Sequence, residues 1–309
     1  MKMPRAGLIF AVLAVMANLG GTLAAASEPQ THPEMLVSTE WLAAHLQDPA
    51  VVILCVAEQP AFYTAGHIPG ARWIALDRLV SQGETLNAIP PLPQLKELFE
   101  SAGLQKDSRI VIYGEKQGMQ AARAYFTLDY LGLAGHAALL DGGIEKWRAE
   151  ARPESMAVPE VHRSSVELRT NPKVLVTFEQ MREHAKRGDV ALIDARPAAE
   201  YSGEKRSQDV PRSGHIPGAK GLYWMELLKS STLPTLRPAE ELRAAFQGAG
   251  AVPEREVVTY CRTGMQAAFD YFVAKYLGLK AGMYVSSFYE WSRREVPVEE
   301  SPKPAAGPK

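Results

Sequence analysis

The run Cys261-Arg262-Thr263-Gly264-Met265-Gln266 places one nucleophile, one cation and one glycine turn within a single loop. The apolar run Val257 to Tyr260 leads into it as a strand, and a helical pattern starts near Ala267. In a parallel α/β sheet such a strand-to-helix loop lies at the carboxyl edge, where ligands bind. Backbone N–H groups of a tight loop, the positive end of the following helix and the Arg262 guanidinium all favour thiolate over thiol at Cys261. The same groups would hold an anion beside it. Most free cysteines are small buried apolar residues, but the position of Cys261 at a strand end, next to Arg262 and Gly264, favours a reactive role. Cys55 reads the opposite way, because it lies inside the apolar run Val51 to Val56 with no basic neighbour. Two cysteines without Cys-x-x-Cys spacing make neither a disulfide framework nor a metal knuckle, so any cysteine chemistry belongs to single thiols.

The elements that must position this loop are written twice. Gly66-His67-Ile68-Pro69-Gly70-Ala71 recurs as Gly214-His215-Ile216-Pro217-Gly218-Ala219, and Val52-Ile53-Leu54 as Ala191-Leu192-Ile193. Further on, Ile110 to Tyr113 matches Val257 to Tyr260, Gly118-Met119-Gln120-Ala121-Ala122 matches Gly264-Met265-Gln266-Ala267-Ala268, and Trp147 matches Trp291. The matches keep their order over more than a hundred residues, and each copy is long enough for its own core, so a tandem of two domains is expected. Short apolar runs (Val51 to Val56, Ile110 to Tyr113, Ala137 to Leu140) read as buried strands, and Ala267, Tyr271, Ala274 and Leu277 fall on one helix face. Thr177-Phe178-Glu179-Gln180 has the form of a capping box. Strands alternating with helices imply, in each half, a parallel sheet flanked by helices on both faces.

The chain has 309 residues, 46% hydrophobic and 22% charged, with a formal net charge of -1. That balance leaves no basic excess for nucleic acid or an anionic membrane, and the length excludes a single small module. Residues 1–26 read as an export signal: Lys2 and Arg5, an apolar run from Ala6 to Ala17, and the small residues Ala24-Ala25-Ala26. Asn18, Gly20 and Gly21 interrupt the run before the roughly 20 residues a membrane span needs. The expectation is an exported, periplasmic protein with no membrane contact after cleavage. The remainder divides into a first domain over 35–151, a polar, proline-containing linker over 152–172, a second domain over 173–297, and a disordered tail over 298–309.

The repeated G-H-I-P-G-A, the run Ile193-Asp194-Ala195-Arg196, the loop Tyr260 to Gly264 and the closing Ser287-Phe288-Tyr289-Glu290-Trp291 together resemble the rhodanese family of sulfurtransferases in its tandem form. The likeness covers nearly all of the chain from Leu36 to Trp291. It implies an α/β enzyme of two rhodanese-like domains in which only the second is catalytic. The residues agree, since Gly114 and Glu115 stand where Cys261 and Arg262 do, and Cys55 and Ala57 where Asp194 and Arg196 do. The first copy's loop is also one residue longer before the shared glycine.

The resemblance further implies a ping-pong reaction with no metal or organic cofactor. Cys261 takes the outer sulfur of a small anionic donor such as thiosulfate, and cyanide or a thiol, including a protein thiol, accepts it. Arg262, Thr263, Gly264, Met265 and Gln266 would bind the substrate, while Asp194 and Arg196 would support neighbouring loops as a buried pair. His67 and His215 occur in both copies, one of which lacks the nucleophile, so a turn-stabilising bond is expected of both. Lys205, Arg206 and Arg212 form a cationic stretch whose default reading is a solvated loop. Glu200 stands where relatives carry a substrate-binding arginine, and Met265-Gln266 replaces the small pair of the mercaptopyruvate enzymes, which favours thiosulfate over 3-mercaptopyruvate. Related phosphatases need an arginine six residues after the cysteine, and Ala267 occupies that position. The rival from another class is a non-enzymatic persulfide carrier or interaction module.

Overall fold

The computed structural model describes residues 30–301 other than Glu84, so the expected export signal and residues 302–309 lie outside the described residues. The first copy runs β1 (Leu36–Val37), α1 (Thr39–Ala44), β2 (Val51–Ala57), α2 (Pro60–Thr64), β3 (Arg72–Ala75), α3 (Leu92–Ser101), β4 (Arg109–Gly114), α4 (Met119–Tyr130), β5 (Ala137–Leu140) and α5 (Gly143–Ala149). The second runs α6 (Phe178–Arg187), β6 (Ala191–Asp194), α7 (Ala198–Tyr201), β7 (Lys220–Gly221), α8 (Ala239–Gly248), β8 (Val257–Tyr260), α9 (Gln266–Tyr276), β9 (Ala281–Met283) and α10 (Ser287–Trp291).

Every strand pair is parallel, in the orders β1-β5-β4-β2-β3 and β7-β6-β8-β9. A parallel bridge from Leu175 to Met283 stands where β1 meets β5 in the first copy and completes the correspondence. Helices cover both faces, which is why β2 is buried almost throughout instead of alternating. Cys55 is fully buried in that strand, and burial pushes its thiol up to about 12. The capping box forms at α6, with Thr177 Oγ1 accepting from the Gln180 N–H and the Gln180 side chain accepting from the Thr177 N–H.

Two expected boundaries move. Past α5, the Trp147 indole donates to the Pro153 carbonyl at 2.7 Å and Ser155 exchanges backbone hydrogen bonds with His67. Past α10, Trp291 donates to the Pro297 carbonyl at 2.8 Å and Glu299 exchanges the same pair of bonds with His215. Residues 298–301, expected in a disordered tail, are therefore the closing segment of the second domain, and the start of the expected linker closes the first. Such segments lack hydrophobic periodicity because one indole bond and one bridge hold them, so a proline-rich stretch reads as a loop. The rest of the linker straps along the first copy, with Ser164 bonded to the Glu100 carbonyl, Val166 buried and Asn171 bonded to the Tyr130 carbonyl.

The two copies meet where α4 packs on α9 in pseudo-twofold fashion. Tyr125 meets Phe272 edge-to-face at 4.9 Å, and Phe126 meets Tyr271 at 5.0 Å. Each copy also sends a bridged loop toward the other's sheet edge: Ser81 pairs with Ala88, and Leu228 with Leu236. Asn87 Nδ2 donates to the Thr263 carbonyl at 3.1 Å, and the Leu236 N–H donates to Asp141 Oδ1 at 2.9 Å. One hydrophobic cluster thus spans both halves.

Candidate active site

Cys261 follows β8 directly and is 1% exposed. Its Sγ accepts the Gly264 N–H at 3.1 Å, and its own N–H donates to Ser287 Oγ at 3.1 Å. The carbonyls of Cys261 and Arg262 accept from the Phe288 and Tyr289 N–H groups, so the loop is stitched to α10. Gly264 has φ of 80°, and a β-carbon there would collide with the Val285 carbonyl oxygen; only glycine fits this turn. Helix α9 then begins at Gln266, and no side chain caps its N-terminus, which leaves the positive end of the helix facing the loop. The site is a small buried thiol held by a backbone donor at a helix start, an arrangement suited to an anionic sulfur.

Arg262 is placed differently from expectation. Its guanidinium donates to Ser207 Oγ at 3.0 Å and lies 3.4 Å from Asp209 and 3.8 Å from Glu200, so two carboxylates share its charge. Thr263 is half-buried and accepts from Asn87 through its carbonyl; Met265 and Gln266 are half-buried at the helix start. Asp194 and Arg196 form a buried fork, with Nε to Oδ1 at 2.9 Å and Nη2 to Oδ2 at 2.5 Å. Arg196 also binds the Gly214 carbonyl at 2.8 Å and lies over the Phe288 ring, tying the G-H-I-P-G-A turn to α10. His67 and His215 stack on Tyr63 and Tyr201 at 3.8 and 4.0 Å and bond to the carbonyls of those tyrosines. Each is a turn residue. Arg212 is no solvated loop cation, since it donates to the carbonyls of Trp291, Ser292, Arg294 and Val296.

Three residues around the thiol loop and one further along α9 escaped sequence reasoning. Ser287, which supports the Cys261 N–H, sits at φ of 55°, a left-handed conformation that its bonds to Cys261 and to the Tyr284 carbonyl hold in place. Asn87 arrives from the first copy. So does Arg123, fully buried, with Nη2 on the Asn87 carbonyl at 2.7 Å and Nη1 on the Gly264 carbonyl at 3.4 Å. Burial pushes its guanidinium down to about 10, opposed by the negative charge of Cys261. Asp270 of α9 is fully buried, neither carboxyl oxygen has a hydrogen-bond partner among the described residues, and burial raises it well above the carboxylate range. The usable signal for Arg123 and Asp270 was a charge inside an otherwise apolar helix pattern.

The corresponding loop of the first copy is closed. A β-carbon at Gly114 would already have to pack against Val56, and a further collision with the Val56 carbonyl leaves no space for a thiol. The extra residue is absorbed by two consecutive left-handed residues, Lys116 and Gln117, at φ of 55° and 54°. Glu115 accepts from the Glu58 N–H, and Lys116 pairs with the Glu58 carboxylate at 2.8 Å, so the loop spends these polar groups on the residue that follows β2.

A model of the rhodanese-like domain matches the chain twice, over residues 38–150 and 177–294. The chain is 35% identical over 256 residues to the sulfur carrier protein TtuD of Thermus thermophilus, covering 80% of this chain and 88% of that one. It is 31% identical over 261 residues to the thiosulfate sulfurtransferase of Azotobacter vinelandii, covering 84% and 94%. The crystal structure of SseA from Escherichia coli, from the 3-mercaptopyruvate sulfotransferases, superposes with a TM-score of 0.74 at 25% identity over 82% of this chain and 98% of that one. With two matched domains, two parallel sheets and one loop thiol, the chain belongs to the rhodanese family in its tandem form.

Proposed function

We propose that the protein is a sulfurtransferase that carries sulfane sulfur on Cys261, with thiosulfate as donor and cyanide or a thiol as acceptor. The observation that carries this reading is the Gly264 N–H bonded to a buried Cys261 Sγ at the start of α9, in the copy that kept the thiol. The Cys261 thiolate attacks the outer sulfur of thiosulfate and forms a new S–S bond. The old S–S bond breaks, sulfite leaves with its electron pair, and a Cys261 persulfide remains. The acceptor then attacks the terminal sulfur and the Cys261 thiolate departs, so no net oxidation occurs and no proton need be held by a base. Backbone donors of the 262–266 loop stabilise the sulfur anion in both half-reactions. Glu200, 3.8 Å from Arg262, takes up part of the charge that a carboxylate donor such as 3-mercaptopyruvate would need, which favours thiosulfate.

A second reading, relay of the persulfide to a protein thiol, is favoured by the 35% identity with a protein named a sulfur carrier. Export through residues 1–26 to an oxidising compartment completes the proposal; fractionation of cells expressing the full chain tests it, and retention in the cytoplasm refutes it. The central test is cyanide-dependent thiocyanate formation with thiosulfate and, separately, with 3-mercaptopyruvate. Thiosulfate turnover that disappears in Cys261→Ala is expected. Preference for 3-mercaptopyruvate would overturn the donor, and folded protein inactive with both would favour the protein relay.

A further inference from the structure

Five residues after the shared glycine the two copies diverge: Arg123 in α4 corresponds to Phe269 in α9. The pseudo-twofold packing of these helices carries each residue to the other copy's loop. A β-carbon at Gly118 would stand 3.7 Å from Phe269 Cε2, and one at Gly264 would stand 3.4 Å from Arg123 Nη1. The loop without a nucleophile therefore meets a phenyl ring, and the loop with one meets a guanidinium.

Arg123 is 0% exposed, and among the described residues its guanidinium bonds to the carbonyls of Asn87, Ala88 and Gly264. Among the described residues its Nε has no partner and no carboxylate forms an ion pair with it. A buried cation is unfavourable unless an opposing charge offsets it, and among the described residues no carboxylate does so for Arg123. Arg123 Nη1 lies on the carbonyl of Gly264, the residue whose N–H donates to Cys261 Sγ, so the sulfur anion of Cys261 is placed to act on this charge. A second route joins the two. Arg123 fixes the Asn87 carbonyl at 2.7 Å, and Asn87 Nδ2 donates to the Thr263 carbonyl at 3.1 Å. That carbonyl belongs to the peptide whose N–H, on Gly264, donates to Sγ. Polarising the carbonyl strengthens the N–H toward sulfur.

We propose that Arg123 is the counter-charge of the Cys261 sulfur anion, a positioning residue supplied across the domain interface by the copy that has no nucleophile. It stabilises thiolate and persulfide directly by its charge and indirectly through Asn87 and the Thr263–Gly264 peptide. The inference rests on the reading of Cys261 as the reacting thiol, but it is tested without any sulfur donor, so failure of sulfur transfer and failure of this proposal are told apart.

The experiment is the pH dependence of iodoacetamide alkylation at Cys261, read by mass spectrometry of the Cys261 peptide, in wild type, Arg123→Met, Arg123→Gln, Arg123→Lys and Phe269→Met, with circular dichroism to confirm folding. The other charged groups at the loop, Arg262 with Glu200 and Asp209, are the same in all five. Loss of the charge in Arg123→Met or Arg123→Gln is expected to move the alkylation midpoint upward by about one pH unit or more. Arg123→Lys, which keeps the charge, stays near wild type, and Phe269→Met does not move it. A folded charge-free variant with the wild-type midpoint overturns the proposal, as does a lysine variant that behaves like the methionine one. Failure of both charge-free variants to fold assigns Arg123 to stability alone and overturns it as well.

Discussion

The two copies share a sheet, a turn and a bridged closing segment, and differ in what fills one loop. In the first copy Gly114 is pressed against Val56, Glu115 and Lys116 are tied to Glu58, and Leu236 of the other domain bonds to Asp141 beside the loop. In the second copy the same position holds a thiol on a backbone donor, and the partner domain contributes Asn87 and Arg123 instead of apolar residues. Features common to both copies are thereby marked as structural: the stacked Tyr–His pairs, the indole bonds of Trp147 and Trp291, and the Tyr113 and Tyr260 hydroxyls that accept from Ile68 and Ile216. Features present in one copy only are the candidates for chemistry. The first domain has no thiol in its loop and instead supplies Asn87 and Arg123 to the other domain's loop.

The sharpest break of this comparison is at the paired glycines. Gly118 and Gly264 have φ of 84° and 80°, so alanine at either incurs a left-handed penalty of about 1–2 kcal/mol. Only Gly264→Ala also drives a β-carbon into a backbone carbonyl, that of Val285, and displaces the N–H on Sγ. Loss of thiosulfate turnover to background is expected for Gly264→Ala, whereas Gly118→Ala retains activity with a lowered melting temperature. Equal loss in both would mean that the first loop takes part in the reaction.

Asp270 gives the next largest effect. The first copy has Ala124 at that position, and in the second a carboxyl is buried without a partner among the described residues. Its folded pKa lies above the unfolded one, so the folded state holds the proton more tightly; stability is fully present below the unfolded pKa and is lost as pH rises toward the folded one. Asp270→Asn removes this dependence. Its stability should match wild type near pH 4 and exceed it increasingly toward neutrality, by up to about 1.4 kcal/mol per pH unit. Urea unfolding at several pH values measures this; parallel curves for the two proteins would show that the carboxyl is solvated.

These two cases also show what was legible beforehand. Cys261, the duplicated turn and the strands around it are local patterns, and local patterns survive in a linear reading. Cys55 was separable from Cys261 because an apolar run on both sides of a cysteine already means burial. Arg123 and Asp270 were visible only as charges inside apolar helix patterns, and the roles of Arg123 and Asn87 were not legible, because they depend on α4 lying against α9 and on a loop crossing between domains, and neither is encoded in spacing. The charge of Arg262 was visible, but its sharing with Asp209 and Glu200 came from residues more than fifty positions away. Glu299 was missed for a related reason: one bridge to His215 replaces the run of apolar residues that normally announces a strand.

The smallest of the structural differences lies at the start of α10. Ser287 corresponds to Gly143 at the start of α5, and both are left-handed, at φ of 55° and 57°. Glycine adopts that conformation freely, whereas serine there is strained by about 1–2 kcal/mol. What the second copy gains is an oxygen that accepts the Cys261 N–H at 3.1 Å while donating to the Tyr284 carbonyl at 2.9 Å. Ser287→Gly relieves the strain and deletes the acceptor, two changes of about 1 kcal/mol that oppose each other. The melting temperature is therefore expected to shift by only a few degrees, while kcat for thiosulfate falls by roughly tenfold as the loop loses its anchor beside the thiol. Ser287→Ala keeps the strain and loses the bond, so it should be the less stable of the two with the same loss of kcat. A glycine variant with full activity would make Ser287 a relic of the fold and leave the Gly264 N–H and the residues from the first domain as the groups that support the thiol.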